Sequence, residues 1–276
     1  MRHCNIVERI ASLLIITGSF VISPLTISMA QNETTISLKY KFKKGDIFKY
    51  KTEQHDSIES SFANQTISRQ ITIWSLKTLS VQEALPSYTI SIRTDSTWTD
   101  QDQTQGGNSP KRRAFRMNRG PHERTYKITF FGKLISQNTI LPSFIIPLPE
   151  KPIKVNDTWD FENIIEQKGK RKGKTTIKGQ CLLYDIKKEK DKTIALIIVN
   201  AESKSEGEFK FQRKQNTISG TFASTGTRTN LVYFDVDRGY VTEVVSEEKR
   251  ESTTESTMFS QNSKLISKST VKLIPK

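Results

Sequence analysis

The segment Leu231–Glu251 reads LVYFDVDRGYVTEVVSEEKRE. Val232, Phe234 and Val236 alternate with Tyr233 and Asp235, then Asp237-Arg238-Gly239 supplies turn chemistry, and a second alternating run follows. That pattern predicts a β-hairpin. Working outward, the same period of two recurs. YTISIR sets Tyr88, Ile90 and Ile92 against Thr89, Ser91 and Arg93. TYKITFFGKLIS sets Tyr126, Ile128 and Phe130 against Thr125, Lys127 and Thr129, with a turn expected at Gly132-Lys133. TIALIIVNA and GEFKFQR alternate likewise, and no long amphipathic helix pattern interrupts them. These segments predict an all-β, antiparallel protein, a strongly curved sheet that forms a half-barrel or barrel. An apolar content of 34% suits strands with one buried and one wet face.

An internal echo predicts two related β units. FKKGDIFKYKTEQ from Phe42 and IKVNDTWDFENII from Ile153 share a basic residue, a Gly/Asn-Asp turn and an alternating run. A polar loop and two more strands are expected after each. Between the halves, Pro142, Pro147, Pro149 and Pro152 forbid a central strand, while the intervening apolar residues imply a connector that packs down. The expected division is therefore a signal peptide over residues 1–30, a first unit over 31–141, a connector over 142–152 and a second unit over 153–276.

The leader reading rests on Arg2 and Arg9 beside the apolar run Ile10–Ile27, followed by Ser28-Met29-Ala30 before Gln31. This is the order of a secretory signal with cleavage between Ala30 and Gln31. An exported product, periplasmic or extracellular, follows, with no transmembrane helix after cleavage. The chain carries a net charge of +14. Outside the cytoplasm that charge meets acidic glycans, phospholipid headgroups and acidic proteins before any genome, so no nucleic-acid partner is expected. Cys4 leaves with the leader, so Cys181 is single and an apolar core must hold the fold.

Four stretches in order, LKYKFKKGDIFKYK, FFGKLIS, LPEKPIKVNDTWDF and LVYFDVDRGYVTEV, resemble a family of exported bacterial proteins that share an uncharacterised β-rich domain. The chain departs from that pattern at Phe131, where a Pro-Arg pair is usual. The resemblance implies a fold and an address, and no reaction.

The residues point to a non-catalytic protein without cofactor or metal. His55 and His122 are far apart and lack a metal-ligand spacing. There is no nucleophile elbow, and Cys181 sits in an apolar alternating run where a thiol is inert. Ser246 and Lys249 would face opposite sides of a strand. Asp157, Asp160 and Glu162 near Trp159 could form a glycan-hydrolysing cleft, against the simpler reading of a turn with an aromatic anchor. Two basic stretches remain as anion-contact candidates. One holds Lys111, Arg112, Arg113, Arg116, Arg119 and Arg124, in what reads as a long loop. The other holds Lys168, Lys170, Arg171, Lys172, Lys174 and Lys178, in what reads as a hairpin loop. Two functions follow as expectations: an envelope binding protein holding an apolar or lipid-like ligand in a curved sheet, or an envelope interaction protein whose basic loops contact acidic polymers or partner proteins. A cavity continuous with Leu196, Ile197, Ile198 and Val199 would favour the first, and a filled interior the second.

Overall fold

The computed structural model describes residues 35–62, 65–105, 111–112, 121–135, 139–169, 171–189, 191–213 and 216–275. The Ala30/Gln31 boundary, Arg113, Arg116, Arg119 and Lys170 lie outside them. Residues 34–276 form one compact unit. Its strands are β1 (Ile47–Phe62), β2 (Gln65–Glu83), β3 (Tyr88–Gln105), β4 (Lys111–Arg112), β5 (His122–Ile128), β6 (Thr158–Gln167), β7 (Arg171–Glu189), β8 (Lys192–Arg213), β9 (Asn216–Asp235), β10 (Tyr240–Ser256) and β11 (Ser260–Leu273). All belong to one antiparallel sheet in the order β4-β3-β2-β1-β11-β10-β9-β8-β7-β6, with β5 also pairing β3, and the sheet curls strongly into a half-barrel. The first strand pairs the last, from Tyr50 opposite Leu273 to Phe62 opposite Gln261.

The apolar core occupies one end of the strands. Leu183, Ile197, Val232, Val244 and Val271 stand in register on the inner face and are all buried. Two irregular segments cover them: Leu38, Tyr40 and Phe42 from one, and Phe144, Ile145, Ile146 and Leu148 from the proline-interrupted connector. Proline removes ladder donors, so the connector satisfies its backbone through side chains and isolated bonds instead. The Tyr40 hydroxyl accepts from the Ile146 N–H at 2.8 Å and donates to the Ile146 carbonyl at 3.2 Å. Tyr50 stacks on Phe144 with ring centroids 4.3 Å apart and donates to the Val241 carbonyl.

The two turns of the internal echo have the same geometry. Gly45 (φ 89°) and Asn156 (φ 75°) both adopt left-handed backbone. Asp46 accepts from Lys43 N–H at 2.7 Å, and Asp157 from Lys154 N–H at 2.9 Å. Gly45 N–H donates to Val81 and Asn156 N–H to Leu183, at 2.8 Å each. A register shift follows each acceptor strand residue, at Val81/Glu83 and Leu183/Asp185.

The strands run further than hydropathy indicates. The segments expected as polar loops after each turn continue as β1 to Phe62 and β6 to Gln167, and β3 continues to Gln105. Their ladders persist because small or β-branched residues on one side alternate with Lys and Glu on the other. Cross-strand pairs then hold the register, as between Lys178 and Glu162 (3.2 Å), Lys264 and Glu251 (3.3 Å) and Lys272 and Glu243 (3.0 Å). The closing hairpin also differs in detail. Asp235 pairs Tyr240, so the loop is Val236–Gly239, and Val236 N–H leaves the ladder to donate to Thr193.

Candidate functional site: the inner trough

Beyond the core the inner face turns polar while its alternation continues. The first layer sets Val199, Asn230, Ser246, Ser269 and Gln54 in register. Asn230 is 6% and Ser246 8% exposed, yet neither Asn230 Oδ1 nor Ser246 Oγ has a hydrogen-bond partner among the described residues. The next layer holds Arg228, Glu248, Ser267 and Asp56, and the one after it Gly226, Arg250, Leu265, Ile58 and Arg69. A row of hydroxyls follows: Thr175, Ser205, Ser224, Ser252, Ser263 and Ser60. Within it, Thr175 and Ser205 bond at 2.9 Å and Ser252 and Ser263 at 2.8 Å.

A cleft of about 330 Å³ lies over this surface, lined by Arg171, Ser205, Phe222, Arg228, Glu248 and Arg250 among others. Arg228 Nε donates to Glu248 at 2.9 Å, and terminal nitrogens of Arg228 and Arg250 reach the same carboxylate. Asp56 is held by the Gln54 amide at 2.9 Å. Arg69 Nε is buried without a partner. The Phe222 ring sits where side chains on Gly173 and Gly207 would be, and the Arg171 guanidinium lies 3.9 Å from its centroid. A broader depression of about 860 Å³ lies on the outer face, lined by Glu162, Lys178, Glu202, Lys204, Lys249 and Glu251. Most of its lysines are in ion pairs, Lys178 with Glu162, Lys204 with Glu206, Lys249 with Glu247 and Lys264 with Glu251.

The sequence-derived candidates are dispersed by this geometry. Arg171, Lys172 and Lys174 belong to β7 and not to a hairpin loop, with Arg171 on the inner face and Lys172 and Lys174 exposed on the outer. Lys178 is likewise in β7, in its ion pair with Glu162, and Lys168 is exposed beyond the end of β6. Lys111 and Arg112 form β4 against Gln103 and Asp102, and Arg124 is exposed in β5, its Nε donating to His122 at 2.8 Å. The two basic stretches therefore do not make one patch among the described residues. Of the inner-face arginines Arg171 was among the sequence-derived candidates, whereas Arg69, Arg228 and Arg250 were missed because three different strands supply them.

Strand parity parts the residues named for the glycan-hydrolysing alternative. Trp159 points to the inner face and donates to the Pro147 carbonyl at 3.0 Å, whereas Asp160 accepts from Gln180 and Glu162 pairs Lys178 on the outer face. The sheet separates them, and Asp157 is committed to its turn. Ser246 and Lys249 also face opposite sides. Cys181 is fully buried, and burial, reinforced by the Asp160 charge, pushes its thiol up to about 12. His55 contacts Thr72 and Glu53 on β1's outer face, remote in the sheet order from His122 on β5. No helix among the described residues is long and apolar enough to cross a membrane, which says nothing about strands. The apolar end of the concave face, where a ligand-holding cavity was one expectation, is packed with Tyr40, Phe42, Phe144 and Ile146. Ile197 and Val199 face that core, with Leu196 and Ile198 on the other side.

No protein-family model matches the chain, and no curated protein matches it. Among solved structures it is similar to Pseudomonas aeruginosa OccK7 (OpdD), with a TM-score of 0.28 and 6% identity over 84% of this chain and 100% of that one. It is similar to Pseudomonas aeruginosa OpdQ at a TM-score of 0.28 and 6% identity, over 83% and 100%. Likeness at this level carries no argument about function.

Proposed function

We propose that this is a non-catalytic, exported envelope protein that binds an extended hydrophilic ligand along the inner trough. The observation that carries this reading is the layer of Asn230 and Ser246, whose buried oxygens lack partners at the head of a hydroxyl-lined surface. An unsatisfied buried polar group costs about 1–3 kcal/mol, so two in one layer call for a reason, and a ligand that supplies their missing partners is one. The filled core supports a polymer-contacting role over storage of an apolar ligand. The open polar surface beyond that core supports contact on the inner face, while Lys168, Lys172 and Lys174 support a second reading in which exposed cations touch acidic polymer from outside.

The test is the double variant Asn230→Leu/Ser246→Val. Removing two unpaired oxygens is expected to leave the melting temperature equal or higher, while binding of labelled envelope-type oligosaccharides falls about tenfold or more. Unchanged binding with an unchanged fold overturns the trough reading. Loss of binding only in a Lys168→Ser/Lys172→Ser/Lys174→Ser variant establishes the second.

A further inference from the structure

We infer that the trough recognises acidic sugars, with Arg228 and Arg250 as its anion-reading groups and the Arg171–Phe222 pair as a platform beyond them. The inference rests on the trough reading and adds the ligand's chemistry.

Cation type is the first observation. Beyond the core the inner face of β2 and β7–β10 uses arginine, at Arg69, Arg171, Arg228 and Arg250, with the inner-face Lys77 of β2 at the core end opposite Tyr50, whereas the outer face of β7–β11 uses lysine, as at Lys174, Lys178, Lys204, Lys249 and Lys264. Solubility alone asks only for charge, and lysine supplies it. A planar guanidinium instead matches carboxylate or sulfate with two parallel bonds. Charge balance is the second observation. On the inner face lining the cleft, Glu248 alone serves both Arg228 and Arg250, and Arg171 lies beyond them against Phe222, so positive charge is left over inside the cleft. Glu248 also holds its two guanidinium groups still, and the bonds to it leave further N–H donors for a ligand.

The remaining surface suits a sugar. Serine and threonine hydroxyls both donate and accept, as ring hydroxyls require, and the buried Asn230 and Ser246 oxygens stand in the layer above Arg228 and Glu248. The tip of Phe222 reaches over Gly173 and Gly207, where a side chain would collide with it, and the Arg171 guanidinium covers its ring, so the pair presents a planar cation to the trough. From Asn230 to Phe222 along β9 the trough extends roughly 27 Å at ~3.4 Å per residue, enough for several linked sugars.

The experiment measures anisotropy of three labelled probes: oligogalacturonate, a sulfated oligosaccharide and a neutral dextran oligomer. The full exported chain should bind at least one acidic probe and bind dextran about tenfold more weakly. Which acidic probe is preferred distinguishes carboxylate from sulfate. Arg250→Gln should weaken the acidic probe about tenfold, with Arg228 still seated on Glu248 to preserve the fold. Arg228→Lys keeps the charge and should still weaken it several-fold, because the planar fork is lost. Lys174→Ser/Lys204→Ser on the outer face should leave binding within about twofold, apart from the salt screening common to exposed charge. Equal binding of dextran and acidic probes, abolished by Asn230→Leu/Ser246→Val, overturns the acidic inference and leaves the trough reading standing. Binding lost with the outer lysines but not with Arg250 overturns both, as does no binding to any probe.

Discussion

At the scale of single residues, the Pro147 carbonyl is a meeting point. Strand alternation brings Trp159 from β6 and Cys181 from β7 opposite one another, with Trp159 Nε1–H 3.0 Å and Cys181 Sγ 4.0 Å from that oxygen. A proline-interrupted connector has few ladder partners, so two side chains reach out to it. The anchor role of Trp159 was legible from its alternation with Phe161 after the Asn156-Asp157 turn. What it anchors was not, because Pro147 lies 12 residues away in sequence, outside the strand whose alternation marks Trp159. Cys181 gives a pH signature. Its folded thiol stands at about 12 against an ordinary 9.0. Both states hold the proton below pH 9, and between 9 and 12 only the unfolded state releases it, so stability should fall with rising pH. The slope for one group approaches 1.4 kcal/mol per pH unit. Burial raises Tyr40, Tyr50 and Tyr88 as well, so the comparison is best made between pH 8 and 10. Urea melts should show a shallower decline in Cys181→Ala than in the parent, and identical declines would refute the buried, neutral thiol.

At the scale of elements, the two echo turns and the closing hairpin use left-handed backbone under different steric conditions. A Cβ on Gly45 would meet nothing within 4 Å, whereas one on Gly239 would lie 2.6 Å from the Lys41 backbone nitrogen. Gly45→Asn should therefore be tolerated within about 1 kcal/mol, since Asn156 already occupies the equivalent turn at φ 75°. Gly239→Asn faces a backbone collision that conformation cannot relieve and should cost about 3 kcal/mol or more. Thermal melts of the two variants decide this, and equal losses would contradict the packing of Lys41 on the hairpin. The strands around the core were legible because apolar residues mark their inner positions. Their distal halves were not. In Lys204–Lys210 the inner residues are Ser205, Gly207 and Phe209 against Lys204, Glu206, Glu208 and Lys210, so charge against small size carries the period and hydropathy does not. The segregation of arginine from lysine by strand parity was equally present in the sequence, but it has meaning only once the inner face is known.

For the molecule as a whole, burial is concentrated at one end of every long strand. Ile197, Val232 and Val244 lie under the connector, while Ser205, Ser224 and Ser252 on the same three strands face an open trough. Opening free energies follow local apolar packing, so amides around the first trio should exchange with solvent at least about a hundredfold more slowly than those around the second. Uniform exchange along β8, β9 and β10 would mean that the trough is covered. The β1–β11 pairing also bears on how the chain is assembled. A molecule delivered from its amino end must hold β1 with an open edge until the last strand arrives, because Ser260–Leu273 alone supplies its second neighbour. Closure across so long a separation in sequence is slow, and an unpaired edge invites foreign strands meanwhile. The fourteen-residue β11 therefore closes the open edge of β1, and the earlier strands must be kept from pairing elsewhere until it emerges.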